Sequence, residues 1–393
     1  MTNGVYKTQY RGGRISLACI ALCAVLMLVL SQVLILRLPD TVTMLFRPAL
    51  VLVLIFDMLL RGTLRYGLRG VTFAAAVWMG VVLLLNELDT ETVKYAAGVV
   101  MYMLMFWAVI GVAWNKRELR CIIAVCFVSC FVCAAALLYS NPITDFSVAA
   151  NGHLQLLGMR VNRNKNAYVF AIGVVLGLIY LAKGRNIPRL LVLAMTAVTG
   201  YALLYSQCRG AFFCTVAAVF VLVGSQLLVI YRRNPTKSIL YGLLFAAACV
   251  GAYYLLKNSE LSRLVDGDSM SGRDDGIRYA WELYLGTDWF GKIFGSGFMY
   301  ESRNTEGIGA HLVYVNFILS SGIIGVLFIV MILLLTLKRV KGGIPTALFM
   351  LAFVKTFFEG MEYNLYTALI LSVVTYNYTL TYGGRINDLF SRR

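Results

Sequence analysis

Charge is scarce in this chain. Lys, Arg, Asp and Glu together make up 14% of its 393 residues, against about 25% in an ordinary soluble domain. With 60% apolar residues, that scarcity excludes a soluble two-domain enzyme, and it equally excludes a disordered chain. Histidine is rarer still: His153 and His311 are the only two, and they stand far apart. The nine cysteines fall mostly inside apolar runs, so they do not describe a disulfide scaffold. No His, Cys or carboxylate cluster shows metal-ligand spacing, and no structural or catalytic metal is expected. Cys130 and Cys133 form a C-x-x-C inside one such run. A redox or metal role there competes with the plainer reading of Cys as a small apolar residue of a membrane helix.

What the chain has instead is long hydrophobic runs. Twelve apolar stretches cover Ile15–Leu36, Thr41–Leu60, Val71–Asn86, Tyr95–Trp114, Cys121–Tyr139 and Ala167–Ala182 in the first half. Leu190–Tyr205, Ala211–Tyr231, Ile239–Leu256, Leu312–Leu337, Ile344–Phe358 and Leu365–Tyr382 follow in the second. Membrane helices need roughly 20 apolar residues each, so the expected fold is an all-α polytopic membrane protein. It would form a single integral domain over residues 1–393 with about twelve transmembrane helices.

The net charge of +16 is a topology signal. Alternate connections carry Lys7, Arg11 and Arg14; Arg61, Arg65 and Arg69; Lys116, Arg117 and Arg120; Lys183, Arg185 and Arg189. The same side continues with Arg232, Arg233 and Lys237, then Lys338, Arg339 and Lys341, then Arg385, Arg392 and Arg393. These seven segments hold 21 of the 35 basic residues against Glu118 and Asp388, a net +19; the remaining 14 basic and 17 acidic residues net −3. The positive-inside rule makes the basic side cytoplasmic, with both termini inside. A nucleic-acid partner is not implied. The first stretch follows a basic segment but is too long for a signal-peptide core, and reads as an uncleaved anchor.

Polar residues collect in two connections on the other side, 140–166 and 257–310. Structureless loops of that length are uncommon. The larger loop, between the ninth and tenth stretches, carries Tyr279, Trp281, Tyr284, Leu285, Trp289, Phe290 and Phe294, too apolar for a tether. Helices lying against the membrane are expected there. One helix from about Arg273 to Leu285, capped by Ser271, would put Arg273, Ile277, Trp281 and Tyr284 on one face. Asp274, Arg278 and Glu282 stand four apart, so Arg278 reads first as an ion-pair residue and Arg273 as the freer cation.

Arg160, Arg163 and Lys165 precede the sixth stretch, and Arg209 opens the eighth. A guanidinium fork suits phosphate oxygens, so these cations fit a lipid diphosphate; orientation and snorkelling are the alternative. Lys355 lies about 16 Å along its helix from Ile344 at 1.5 Å per residue, deep enough to be a functional candidate. A structural pair with Glu359 competes with a substrate contact. His311 opens the tenth stretch, where imidazole can act as a base near neutral pH or simply start a helix.

The residues from His311, HLVYVNFILSSGIIG, resemble the late motif of the O-antigen ligase and Wzy-type O-antigen polymerase superfamily, His-Asn-x-Tyr-Leu followed by Glu-x-Gly-x-x-Gly. His311, Tyr314, Gly322 and Gly325 match; Leu312 and Ser320 depart from it. SGRDDGIRYAW and IFGSG are similar to the family's large loop at Ser271, Gly272, Arg273, Trp281, Gly295 and Gly297. SQCRG resembles its Ser-x-Ser-Arg-Gly turn at Ser206, Arg209 and Gly210, and GMRVNRNKNAYVFA a further segment at Gly158 and Asn166.

The resemblance implies a GT-C-like, metal-independent inverting glycosyltransferase with no cofactor, in a bacterial cytoplasmic membrane, its site facing outward. It implies catalytic roles for His311, Arg209 and Arg273: the two Arg groups would neutralise the diphosphate leaving group, and His311 would ready the acceptor hydroxyl. Arg160, Arg163, Arg278, Trp281, Tyr314 and Lys355 complete the candidate substrate contacts. The implied activity is a polysaccharide polymerase moving a glycan from an undecaprenyl-diphosphate donor to a lipid-linked repeat unit. Its partners would be that lipid-linked oligosaccharide, the bilayer, and a chain-length regulator and flippase of the same pathway. A ligase to another acceptor, and a twelve-helix transporter or flippase, are the rival readings.

Overall fold

A computed structural model describes residues 15–31, 40–61, 67–84, 90–112, 114–142, 144–146, 154–183, 188–265, 273–297, 313–358 and 363–382. Each of the twelve apolar stretches contains a helix. They are α1 (Leu17–Ser31), α2 (Asp40–Arg61), α3 (Gly67–Leu84), α4 (Thr90–Gly111), α5 (Lys116–Ser140), α6 (Arg163–Lys183), α7 (Arg189–Tyr205), α8 (Arg209–Tyr231) and α9 (Pro235–Lys257). The large loop contributes α10 (Arg273–Gly286) and α11 (Trp289–Phe294), and the chain continues through α12 (Val313–Arg339), α13 (Gly343–Lys355) and α14 (Tyr363–Tyr382). Six of these helices are long and apolar enough to cross a membrane, and six more contain shorter apolar segments. The protein is an all-α membrane protein, and among the described residues one two-stranded hairpin accompanies the helices.

Hydrophobic stretches become helices here because no water is available in a bilayer to satisfy an open backbone. The same constraint explains where buried hydroxyls go. Thr72, Thr196, Thr199, Thr215, Ser321, Thr336 and Thr375 each donate to the carbonyl four residues back in their own helix, at 2.6–2.9 Å. Small residues let the central helices approach: Gly173 of α6 faces Cys130 of α5 and Thr199 of α7, and Gly177 faces Thr196. A side chain at either glycine would push α6 off its neighbours.

The packed centre runs through α5, α6, α8, α13 and α14, with α3 and α4 alongside. By contrast, among the described residues α9 packs mainly on α8 and the 3-10 turn Ser262–Leu264. Ser238 is its single buried residue; Leu240, Leu243 and Leu255 stand exposed, as lipid-facing side chains do.

The loop connections are more ordered than linkers. After α5, Asn141 donates to the Leu137 and Gln155 carbonyls at 2.6 and 2.7 Å and accepts from Gln155 N at 3.0 Å. That side chain fastens the hairpin β1 (Gln155–Leu156) and β2 (Met159–Arg160) to the helix end. Leu157 and Gly158 make the two-residue turn, with φ of 50° and 84°. In the larger loop, α10 rests Ala280 and Tyr284 on Leu319 of α12.

The most unusual joint is in α12. At Gly322, φ 66° and ψ −169° break the helix into two parts. The freed carbonyls are taken up from outside: Ser296 N donates to Leu319 at 2.7 Å, Gly297 N to Ser320 at 3.1 Å, and the Trp78 indole to Ser321 at 3.3 Å. The approach is backbone to backbone, so a Cβ at Gly295 would strike the Ser320 carbonyl and one at Gly322 the Ile293 carbonyl.

Candidate functional site

The site is built at the bundle end that carries the two polar connections. Here the start of α6, the end of α7, the start of α8, the end of α13 and the first turns of α12 come together. The turn joining α7 to α8 is buried through Ser206, Gln207 and Cys208. Gln207 holds a left-handed φ of 47° and donates from Nε2 to the Phe146 carbonyl at 3.3 Å. Tyr205 donates to the Pro142 carbonyl at 3.1 Å. This turn delivers Arg209, half-buried, as the first residue of α8. The N-cap residue Cys208 gives the helix no side-chain cap, and Arg209 is the first residue at the positive end of α8.

Next to it, Gly210 sits against the Tyr168 hydroxyl and the Phe358 side chain, with no room for a Cβ. Tyr168 is the hub. Its ring lies under the Lys355 ammonium, 4.4 Å from the ring centroid. Lys355 is 2% exposed and is the last residue of α13. The aromatic face and the negative end of its own helix both attract the buried charge. The eleventh apolar stretch, Ile344–Phe358, is helical only in part. α13 stops at Lys355, and residues 356–358 form a turn rather than further helix.

That turn reaches the motif at α12. Thr356 Oγ1 and the Tyr314 hydroxyl are 3.0 Å apart and hydrogen-bonded, and the Tyr314 and Phe357 rings are 5.5 Å apart. Phe358 stacks on Phe213 of α8 at 6.0 Å. An adjoining face of the same α12 segment, Val315, Ile318 and Leu319, meets Ala280, Leu283 and Tyr284 of α10. Two helical turns of α12 are thus held by α10 and the end of α13.

The other expected residues divide. Arg163, half-buried, begins α6, which Asn162 caps by accepting from Asn164 N and Lys165 N at 2.9 and 3.2 Å. Arg160 is exposed on the hairpin. Asn166 is fully buried, accepts from the Cys133 thiol at 3.8 Å, and leaves Nδ2 without a hydrogen bond among the described residues. It lies two residues before Tyr168, on a different face of α6. Cys130 and Cys133 are buried packing residues of α5.

Arg278 is the ion-pair residue its spacing indicates: Nε stands 3.1 Å from Glu282 Oε1, both side chains well exposed. That geometry argues against its place among the substrate contacts. Trp281 is also exposed, its ring 5.3 Å from Tyr284; the face of α10 turned to the bundle is Ala280, Leu283 and Tyr284. Arg273 opens α10; its side chain, and His153, Ser271, His311 and Glu359, lie outside the described residues.

The sequence reading missed Tyr168, Thr356 and Phe358. Only Tyr168 left a signal, standing in the segment that contains Asn166. A scan against protein-family models finds no match, and no curated protein matches the chain.

Proposed function

We propose that the protein is a polysaccharide polymerase acting on lipid-linked repeat units at the outer face of the cytoplasmic membrane, a GT-C-like glycosyltransferase of about twelve spans. One observation carries the reading. The four motif-like patches, separated by up to 160 residues of sequence, form one chain of contacts at one end of the bundle. Tyr168 joins the first to Gly210 of the second. The turn at 356–358 joins the second to Tyr314 of the fourth, and Ser296 joins the third to Leu319.

In this reading Arg209 and Arg273 bind the diphosphate of a polyprenyl donor, each at a helix start whose dipole adds to its charge. The acceptor hydroxyl attacks the anomeric carbon from the face opposite the diphosphate. A new glycosidic C–O bond forms as the carbon–oxygen bond to diphosphate breaks, so the configuration inverts. The hydroxyl proton passes to His311, and polyprenyl diphosphate leaves with the bonding electron pair. Positive side chains stabilise the developing charge. Lys355 is engaged under Tyr168 at a helix end, and its role is to hold α6, α8 and α13 in register beside Arg209.

The test is direct. Purified full-length protein in lipid nanodiscs, given a diphosphate-linked repeat unit, should yield a ladder of products, and Arg209→Ala, Arg273→Ala and His311→Ala should each abolish it. A single-step product with a foreign acceptor, or a ladder unchanged in all three variants, overturns the reading.

A further inference from the structure

At the far end of α5 from the candidate site, three cysteines meet. Cys19 and Cys23 are four apart on α1 and therefore share a face; Cys121 stands opposite on α5. Their sulfur atoms all lie within 4.8 Å of one another, and Cys23 Sγ is 3.9 Å from Cys121 Sγ. Metal–sulfur bonds of about 2.3 Å in a trigonal plane set neighbouring sulfurs about 4.0 Å apart. The Cys23–Cys121 distance of 3.9 Å matches that figure, and the other two lie within 4.8 Å.

The surroundings are fixed. Glu118, fully buried, accepts from Ser16 N at 3.0 Å through Oε1 and from Asn115 N at 2.9 Å through Oε2, so its carboxylate clamps the two helix starts together. Ser16 Oγ accepts from Cys19 N at 3.1 Å, and the Cys19 thiol points to the Glu118 carbonyl at 3.8 Å. With the carboxylate so engaged, the donors that remain among the described residues are three sulfurs. Cys19 is buried while Cys23 and Cys121 are half-buried. Both helices begin here, and Arg117 stands one turn before Cys121.

We propose that Cys19, Cys23 and Cys121 form a binding site for a soft, thiophilic cation of the copper(I) class, which staples α1 to α5. Thiolate donors select soft ions. Zinc in a structural site takes four ligands, whereas copper(I) is satisfied by two or three. Binding forms copper–sulfur bonds and releases the thiol protons to water, with no change of oxidation state. The site is separate from the proposed glycosyl transfer: Cys121 and Ser140 are about 28 Å apart along α5 at 1.5 Å per residue.

The experiment uses reduced full-length protein in detergent, under anaerobic conditions, titrated with copper(I) against a competing copper(I) chelator. Wild type should retain one equivalent, show sulfur-to-copper charge-transfer absorption and melt at a higher temperature than the metal-free form. Losing a partner that merely orients a ligand costs about 10–100-fold in affinity, so Cys23→Ser or Cys121→Ser should cost at least that. Cys133→Ser, elsewhere on α5, should bind as wild type does. Should Cys19→Ser fail to fold, the two half-buried positions carry the test, with metal-free melting temperature as the check on folding. No copper retained by wild type, or equal retention by a Cys23→Ser/Cys121→Ser double variant, overturns the proposal.

Discussion

Gly210 shows how one atom could decide the candidate site. Tyr168 and Phe358 close over its α-carbon, and Arg209 is its chain neighbour. Adding a methyl to so tight a contact costs about 1–3 kcal/mol, so Gly210→Ala should lower the melting temperature of the purified protein and shift Arg209. Polymer should shorten or vanish with it. Because the Tyr168 hydroxyl is one of the two obstructing groups, Tyr168→Phe in the same chain should restore part of the lost stability. A Gly210→Ala protein that melts with wild type would dissolve the packing argument. Arg278 provides the contrast. Its partner Glu282 is exposed alongside it, and exposed ion pairs contribute about 0–1 kcal/mol. Arg278→Ala should leave melting temperature and polymer length unchanged where Arg209→Ala removes product. Equal losses in the two variants would show that residues were assigned by charge alone. The Arg278–Glu282 pair was legible in the sequence because four-residue spacing is a local property. Tyr168 over Lys355 was not, since those residues are 187 positions apart and nothing local announces a ring beneath an ammonium.

At the scale of elements, twelve apolar stretches could be read directly because a bilayer requires runs of that composition, and the helix over Arg273–Gly286 could be read from its charge spacing. The hairpin at Gln155–Arg160 could not: strands of two residues are too short to show alternation, and Leu-Gly is not a familiar hairpin turn. The break in α12 was hidden too. A glycine in an apolar run reads as a packing residue, which Gly325 is, lying against Ser321 and Met79. Gly322 instead occupies backbone space that only glycine uses freely, and the loop residues Gly295 to Gly297 are hydrogen-bonded into the gap. The resemblance to a motif marked both glycines without distinguishing them. Gly322→Ala should therefore cost about 3 kcal/mol or more, from strain and from collision with the Ile293 carbonyl. The consequence is specific: α11 and the Gly295–Gly297 turn should detach from α12, and limited proteolysis should cut the 257–310 connection faster than in wild type. Gly325→Ala should disturb α12 against α3 without speeding that cleavage. Equal cleavage rates in wild type and Gly322→Ala would mean the loop is held by something other than this joint.

For the whole molecule, the charge pattern and the position of the candidate site are tied together. Three basic residues at each of seven alternate connections are the pattern that orients membrane proteins, and the motif-like patches all fall on the other side. The thiol cluster at the starts of α1 and α5 is at the basic end, and two separate parts of the sequence had to come together before it existed; no spacing rule joins Cys19 to Cys121. Orientation therefore decides which compartment each site meets. Glu260, exposed just beyond α9, and Lys341, exposed between α12 and α13, report opposite ends. In intact cells, a membrane-impermeant maleimide should label Glu260→Cys above the background of the native cysteines. Lys341→Cys should react only after the membrane is opened. The reverse pattern would put Arg209 and Tyr314 in the cytoplasm, away from exported lipid-linked glycans, and polymerisation at the outer face would be untenable whatever the geometry of the site.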